Sequence, residues 1–176
     1  MSSITTTVSE LFSIYQSNVS LINQLKVNDI NSTSIFLLKS HVDEIVHIHM
    51  SNAYQCIIFK HSNVSMLSDS SFIQCGSESV YSGGAIEIID SSVHVANSSF
   101  THNMAGTGGA ISIECVNYEH CDNQVYNSVF KNNSGTVKGG AISYDFRRPH
   151  FANNTYINNH APYGSKVASY AVRIVD

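Results

Sequence analysis

Short runs of alternating apolar and polar residues fill this 176-residue chain, and Asn, Ser, Asp or Gly breaks each run. Ala85-Ile86-Glu87-Ile88 and Ala110-Ile111-Ser112-Ile113 alternate with a period of two, the side-chain spacing of a β-strand and not of an α-helix. Val19–Ile22, Ser34–Leu38, Glu44–Met50 and Gln55–Phe59 are further apolar or alternating runs between polar breaks, so strands are expected there too. Ser9–Gln24 admits a second reading. Leu11, Ile14 and Tyr15 sit at helical spacing and would form one face of an amphipathic capping helix.

The strand pattern recurs as an internal repeat. Gly-Gly-Ala-Ile stands at Gly83-Gly84, Gly108-Gly109 and Gly139-Gly140, and a degenerate copy begins at Gly164. The four first glycines are 25, 31 and 25 residues apart, so the middle unit carries an insertion, assigned to Cys115–Cys121. Ahead of each copy stands an aromatic residue, Phe72, Phe100, Phe130 or Tyr156. Three residues after each aromatic comes Cys75, Asn103, Asn133 or Asn159. A period in the twenties with Gly, alternating Ile and Asn-rich turns predicts a stacked solenoid. Few residues are the Leu, Glu, Lys and Ala that fill helical repeats, which leaves an all-β, single-stranded parallel β-helix of about six or seven coils. Coils about 4.8 Å apart would stack Phe72, Phe100, Phe130 and Tyr156 into an interior ladder. Asn103, Asn133 and Asn159 would form an amide ladder at a corner, each amide satisfying its neighbours. Each Gly pair would answer either a positive φ or a backbone approach too close for a Cβ.

The Gly-Gly-Ala-Ile motif in register with its F-x-x-N partner, over residues 72 to about 170, resembles the repeat of chlamydial polymorphic outer-membrane proteins. It is similar also to the wider group of pectin-lyase-like β-helix proteins of cell surfaces, including large ciliate proteins. The tail Ala161–Tyr170 resembles the closing segment of such ciliate arrays. Cys75 in place of Asn, and Gly164-Ser165 in place of the last Gly pair, depart from the pattern. The resemblance implies a right-handed β-helix used for adhesion or as a surface structure, with no catalytic residue. Residues 1–71, which lack the motif, are read as divergent coils or a cap. The whole chain 1–176 is one domain, and the strand-like run Ala171–Asp176 suggests a piece of a longer protein or an end covered by a partner.

Composition narrows the function. Only 12% of residues are charged and the net charge is -4, so there is no basic footprint for nucleic acid. No run reaches the length of a transmembrane helix, and Met1–Gln16 has neither the basic start nor the apolar core of a signal peptide. Six Asn-x-Ser/Thr sequons, at Asn18, Asn31, Asn63, Asn97, Asn132 and Asn153, are glycosylation candidates, Asn132 and Asn153 foremost because they flank predicted turns. The alternative is that Asn-rich corners happen to be followed by Ser or Thr. Four cysteines can pair in an oxidising compartment, Cys115 with Cys121 across the base of the insertion and Cys56 with Cys75 across adjacent coils.

Chemistry beyond the ladders is sparse in the sequence. Cys115, His120 and Cys121 lack the paired C-x-x-C and fourth ligand of a zinc site, and His47 and His49, expected on one strand face, have no partner ligand placed by spacing. No metal or cofactor is therefore expected. Glu87, Glu114, Asp145, Arg147 and Arg148 form the one polar constellation that successive coils would bring near one outer face. Glycosidic cleavage usually asks for two carboxylates at controlled separation, which no strand repeats from coil to coil, so the chain is not expected to be an enzyme. The leading expectation is a structural or adhesive module of a cell-surface or extracellular assembly, meeting protein partners, further copies or glycans at its faces and ends. One alternative is a carbohydrate-binding or polysaccharide-degrading β-helix, with Tyr118, Tyr126 and Tyr144 stacking on sugars. The other is a scaffold inside a large intracellular complex.

Overall fold

The computed structural model describes residues 10–117 and 121–169, and every element among them is a β-strand. The expectations placed on Tyr118, His120, Tyr170 and Ala171–Asp176 lie outside the described residues. Strands stack in parallel as a solenoid of about six turns, with three strand columns per turn.

The first column holds β1 (Glu10–Tyr15), the second halves of β3 (Lys26–Leu38) and β5 (His49–Lys60), then β8 (Ile86–Ile89), β12 (Ile111–Glu114), β16 (Ile142–Asp145) and β19 (Val167–Ser169). The second is a six-stranded sheet running from β2 (Asn18–Asn23) through β4 (His41–Val46), β6 (Asn63–Ser68), β9 (Ser92–Ala96) and β13 (Gln124–Tyr126) to β17 (His150–Ala152). The third joins the first halves of β3 and β5 to β7 (Ser71–Ile73), β10 (Ser99–Thr101), β14 (Val129–Lys131) and β18 (Thr155–Ile157). At the corner after β10 and β14, β11 (Met104–Thr107) pairs with β15 (Ser134–Lys138). Glu10–Tyr15 and Asn18–Asn23 are strands, so the capping-helix reading fails. Their apolar residues continue the interior columns of the coils above, which a helix would interrupt.

Alternation puts every second residue inside. Ile57, Ile86, Ile111 and Ile142 form one fully buried column, and Val42, Val64 and Val93 another. The aromatic ladder is complete. Ring centroids lie 5.1, 4.8 and 5.3 Å apart from Phe72 through Phe100 and Phe130 to Tyr156, with planes within 14°. Those spacings match the strand separation, so each ring keeps offset contact with the next at no cost to the sheet.

The two glycines of each pair answer different constraints. Gly83 has φ +59°, which a side-chain-bearing residue rarely adopts, whereas a Cβ on Gly84 would lie 2.4 Å from the carbonyl oxygen of Gly109 in the next coil. The first therefore turns the chain and the second admits the neighbouring backbone. Gly108-Gly109 and Gly139-Gly140 repeat the arrangement.

Both disulfides form. Cys115–Cys121 closes the insertion, with Cα atoms 6.1 Å apart. Cys56–Cys75, at 5.8 Å, joins the beginning and end of the third coil instead of two adjacent coils, because β5, β6 and β7 complete a single turn between them. Ile57 pairs with Ile86, so Cys56 occupies the column of Ala85; Cys75 precedes Asn103 in the amide ladder.

Candidate functional site

Three corners turn the chain in each coil, and most share one device, the exceptions being Leu25, Ile30, Ile48 and Ala53 in the early coils. A residue in the left-handed region is followed by a small polar residue whose side chain ties neighbouring coils. At the amide corner, Asn133 Nδ2 donates to Phe100 O (3.0 Å) and Asn159 Oδ1 (2.9 Å). Its Oδ1 accepts from Asn103 N and Asn103 Nδ2, both at 3.0 Å. Two further ladders, which sequence reasoning missed, are made of serine. At the first corner Ser17 N, Ser40 N and Ser62 N donate to the hydroxyls of Ser40, Ser62 and Ser91 (3.3, 3.2 and 3.0 Å). At the second, Ser70 N and Ser98 N donate to the hydroxyls of Ser98 and Ser128. The signal was present as dipeptides, Lys39-Ser40, His61-Ser62, Asp90-Ser91 and Asp69-Ser70, Asn97-Ser98, Asn127-Ser128, whose first members all have positive φ.

The corner device explains three sequons. Asn97, Asn132 and Asn153 are left-handed corner residues, Ser98, Asn133 and Asn154 are the ladder residues, and the Ser or Thr that completes each motif begins the next strand. Asn18, Asn31, Asn63, Asn97 and Asn153 are exposed. Asn132 is half-buried, with its Nδ2 3.1 Å from His102 Nε2, which makes it a poorer acceptor than Asn153. His47 is itself a left-handed corner residue (φ 53°), so His47 and His49 flank a turn instead of sharing a strand face. His47 Nδ1 is 3.2 Å from Asn23 Oδ1 in the coil below.

The acidic constellation is dispersed. Glu87 pairs across the sheet with Ser112, not Glu114, and its carboxylate accepts from Gln55 Nε2 (3.0 Å) and the Ser82 hydroxyl. Glu114 is opposite Asp145, which the nearly buried Lys138 ammonium holds at 2.5 Å. Tyr144, expected outside for sugar stacking, belongs to the inner column of Ile113 and packs against Phe151 at 6.1 Å. Tyr126 is half-buried on the second face, its hydroxyl 3.5 Å from Met66 Sδ. The most exposed tyrosines among the described residues are Tyr81 and Tyr163, at the glycine corner. Burial pushes the Tyr156 hydroxyl above the ordinary tyrosine range, partly offset by its neighbour Asn154.

What the structure assembles instead is a groove of about 770 Å³ along the first corner. Its wall is a register-matched column on successive coils, Asn18, His41, Asn63 and Ser92. Beside it run the left-handed corner residues Lys39, His61 and Asp90. The described parts of the insertion, Cys115–Asn117 and Cys121, stand over its end as a shelf. Asp90 Oδ1 accepts from Val116 N (2.8 Å) and Asn117 N (3.0 Å), and the Ser92 hydroxyl accepts from Asp122 N (3.0 Å). Asn123 then takes over the ladder position, accepting from Val93 N and donating to Ser91 O. His41 is paired with Asp43 at 2.9 Å and Asp122 lies 3.4 Å from His94, while Lys39 and His61 have no side-chain partner among the described residues. Lys39 therefore brings an ammonium to this stretch, and Asp90 a carboxylate.

Comparison of the chain with protein-family models, with curated proteins and with solved structures finds no significant match.

Proposed function

We propose that the chain is a non-enzymatic structural or adhesive module of a cell-surface or extracellular assembly, meeting its partner in the groove beneath the shelf. The observation that carries this reading is the shelf itself. In a molecule whose repeat residues are consumed by stacking, one segment leaves the coil, is clipped by a disulfide, and is pinned by Asp90 and Ser92 beside an open polar groove. A rigid scaffold presenting one irregular segment is the usual plan of a recognition surface. Two disulfides favour an oxidising compartment over the interior of a large intracellular complex. The absence of a helix long and apolar enough to cross a membrane among the described residues neither adds to nor removes from this.

A second reading, carbohydrate binding, is favoured by the column Asn18, His41, Asn63 and Ser92. One polar side chain per coil repeats at strand spacing, and a polymer of hydroxyl-bearing units repeats its donors and acceptors in the same way. Both readings are tested with the purified chain on a panel of immobilised polysaccharides and of surface-protein extracts, scored also for depolymerisation. Binding that falls at least about tenfold in Lys39→Ala/His61→Ala, with the circular dichroism unchanged, supports the groove. Polysaccharide hits select the second reading and protein hits the first. Binding indifferent to both substitutions rejects the groove, and polymer cleavage rejects the non-enzymatic reading.

A further inference from the structure

The fold supplies what the sequence lacked for a metal site at the shelf. Asp90, Cys115 and Cys121 place one ligand atom each within 4.8 Å of one another. The Asn117 carbonyl oxygen lies 3.4 Å from Cys115 Sγ and 3.3 Å from Cys121 Sγ, and as disulfide sulfurs carry no hydrogen, these are close approaches with no proton between them. Asp90 Oδ1 is engaged by the two shelf amides, while Asp90 Oδ2 has no hydrogen-bond partner among the described residues. Two sulfurs, one carboxylate oxygen and one carbonyl oxygen thus converge from two coils.

We propose that the reduced shelf is a thiolate site for a divalent, thiolate-preferring ion of the zinc class, held by Cys115, Cys121, the Asp90 carboxylate and the Asn117 carbonyl. The disulfide and the metal are alternative states of one position. A dithiol reductant delivers two electrons and two protons, opening the disulfide to two thiols and closing to its own cyclic disulfide. The ion then displaces both thiol protons and binds two thiolates. Atoms sharing one zinc lie at most about 4.6 Å apart, twice a Zn–S bond of about 2.3 Å. The cluster therefore needs little closure beyond the spreading of the two sulfurs. Asp90 and Ser92 pin the shelf from both sides independently of the S–S bond, so the ligands stay gathered when that bond opens. Cys121, though buried, lines the groove, which places the bridge directly under its surface. Cys56–Cys75 is wholly enclosed in the hydrophobic core and offers neither such a position nor a carboxylate.

The test uses the whole chain, reduced natively with dithiothreitol, freed of reductant without oxygen and titrated with cobalt(II). The expected result is one cobalt per chain, with visible bands of a tetrahedral ion and a sulfur-to-cobalt charge-transfer band, all erased by one equivalent of zinc. The oxidised chain shows none of these. Asp90→Asn keeps an oxygen for the shelf amides but loses the charged ligand, and lowers affinity on the order of tenfold or more. Cys115→Ser/Cys121→Ser abolishes the sulfur band even where thiol counting finds the core pair open. The proposal is overturned by a shelf bridge that resists native reduction, by the absence of a sulfur band at one equivalent, by the same band in the double serine variant, or by unchanged affinity in Asp90→Asn.

Discussion

The coils before Cys75 and those after it solve the same stacking problem with different corners. In the early coils β3 and β5 run from the third column into the first without interruption, and successive coils are short, with Ser40 and Ser62 only 22 residues apart. Apolar residues, Ile30 and then Ala53, stand where later coils place asparagine. Beyond Cys75 the same corner carries the amide ladder, an additional strand and the glycine pair, and Asn103 and Asn133 are 30 residues apart. The first serine corner runs from Ser17 to Ser91 before Asn123 takes over, and the second begins at Ser70, with Leu25 and Ile48 in its place in the earlier coils. Strand columns and serine corners thus make the solenoid, and the Gly-Gly-Ala-Ile motif marks one elaborated corner of it. Cys56–Cys75 sits at the junction, joining the column that becomes alanine to the column that becomes asparagine.

The contrast is broken most severely at a second-position glycine. Gly109→Ala would set a Cβ 2.4 Å from Gly140 O and 2.5 Å from Ser134 O, both backbone, and no early coil has an equivalent constraint. The expected loss is about 4 kcal/mol or more, or failure to fold, read by chemical denaturation. Phe100→Ala removes the middle of the aromatic ladder, where the ring is fully buried between two others, and is expected to cost about 3–5 kcal/mol by the same measurement. Asn133→Ala orphans Asn103 N and removes the amide bonds to Phe100 O and Asn159 Oδ1, for about 2–4 kcal/mol. Ser62→Ala in the early region orphans only Ser40 N and should cost about 1–2 kcal/mol. Equal losses at these two positions would dissolve the distinction between the corners. The smallest effect is alkaline. Tyr156 titrates above its unfolded value, so its contribution is complete below the ordinary tyrosine pKa and is lost as pH rises through the folded one. Tyr156→Phe should therefore flatten the fall of stability with pH in that alkaline range while leaving neutral stability nearly unchanged.

How much was legible follows from the same contrast. The elaborated corner needs rare residues in fixed order, a Gly pair, an aromatic and an Asn, so its ladders, its insertion and both disulfides could be read from spacing. The serine corners need only one left-handed residue and one Ser. Lys39, His61, Asp69, Asp90 and Asn97 share no side-chain chemistry beyond polarity, and Ser is too common to mark a period. Glu87 and Glu114 were misjudged because a two-residue offset from their first glycines was taken as near equivalence, whereas cross-strand register keeps that offset and pairs Glu87 with Ser112. The groove was invisible because it depends on where side chains of four different coils point.

The corner ladders also give the solenoid a direction. In all three, the backbone N–H of one coil is satisfied by a side-chain oxygen of the following coil, as in Ser40 to Ser62, Ser98 to Ser128 and Asn103 to Asn133. Removing a coil from the carboxyl side strips acceptors and leaves buried N–H groups orphaned. Removing one from the amino side leaves every ladder N–H its acceptor, although strand amides such as Ser99 N and Val129 N lose the carbonyls of Ser70 and Ser98. The corners, unlike the strands, are therefore asymmetric, and a segment joining the rod on the carboxyl side must bring oxygens to them.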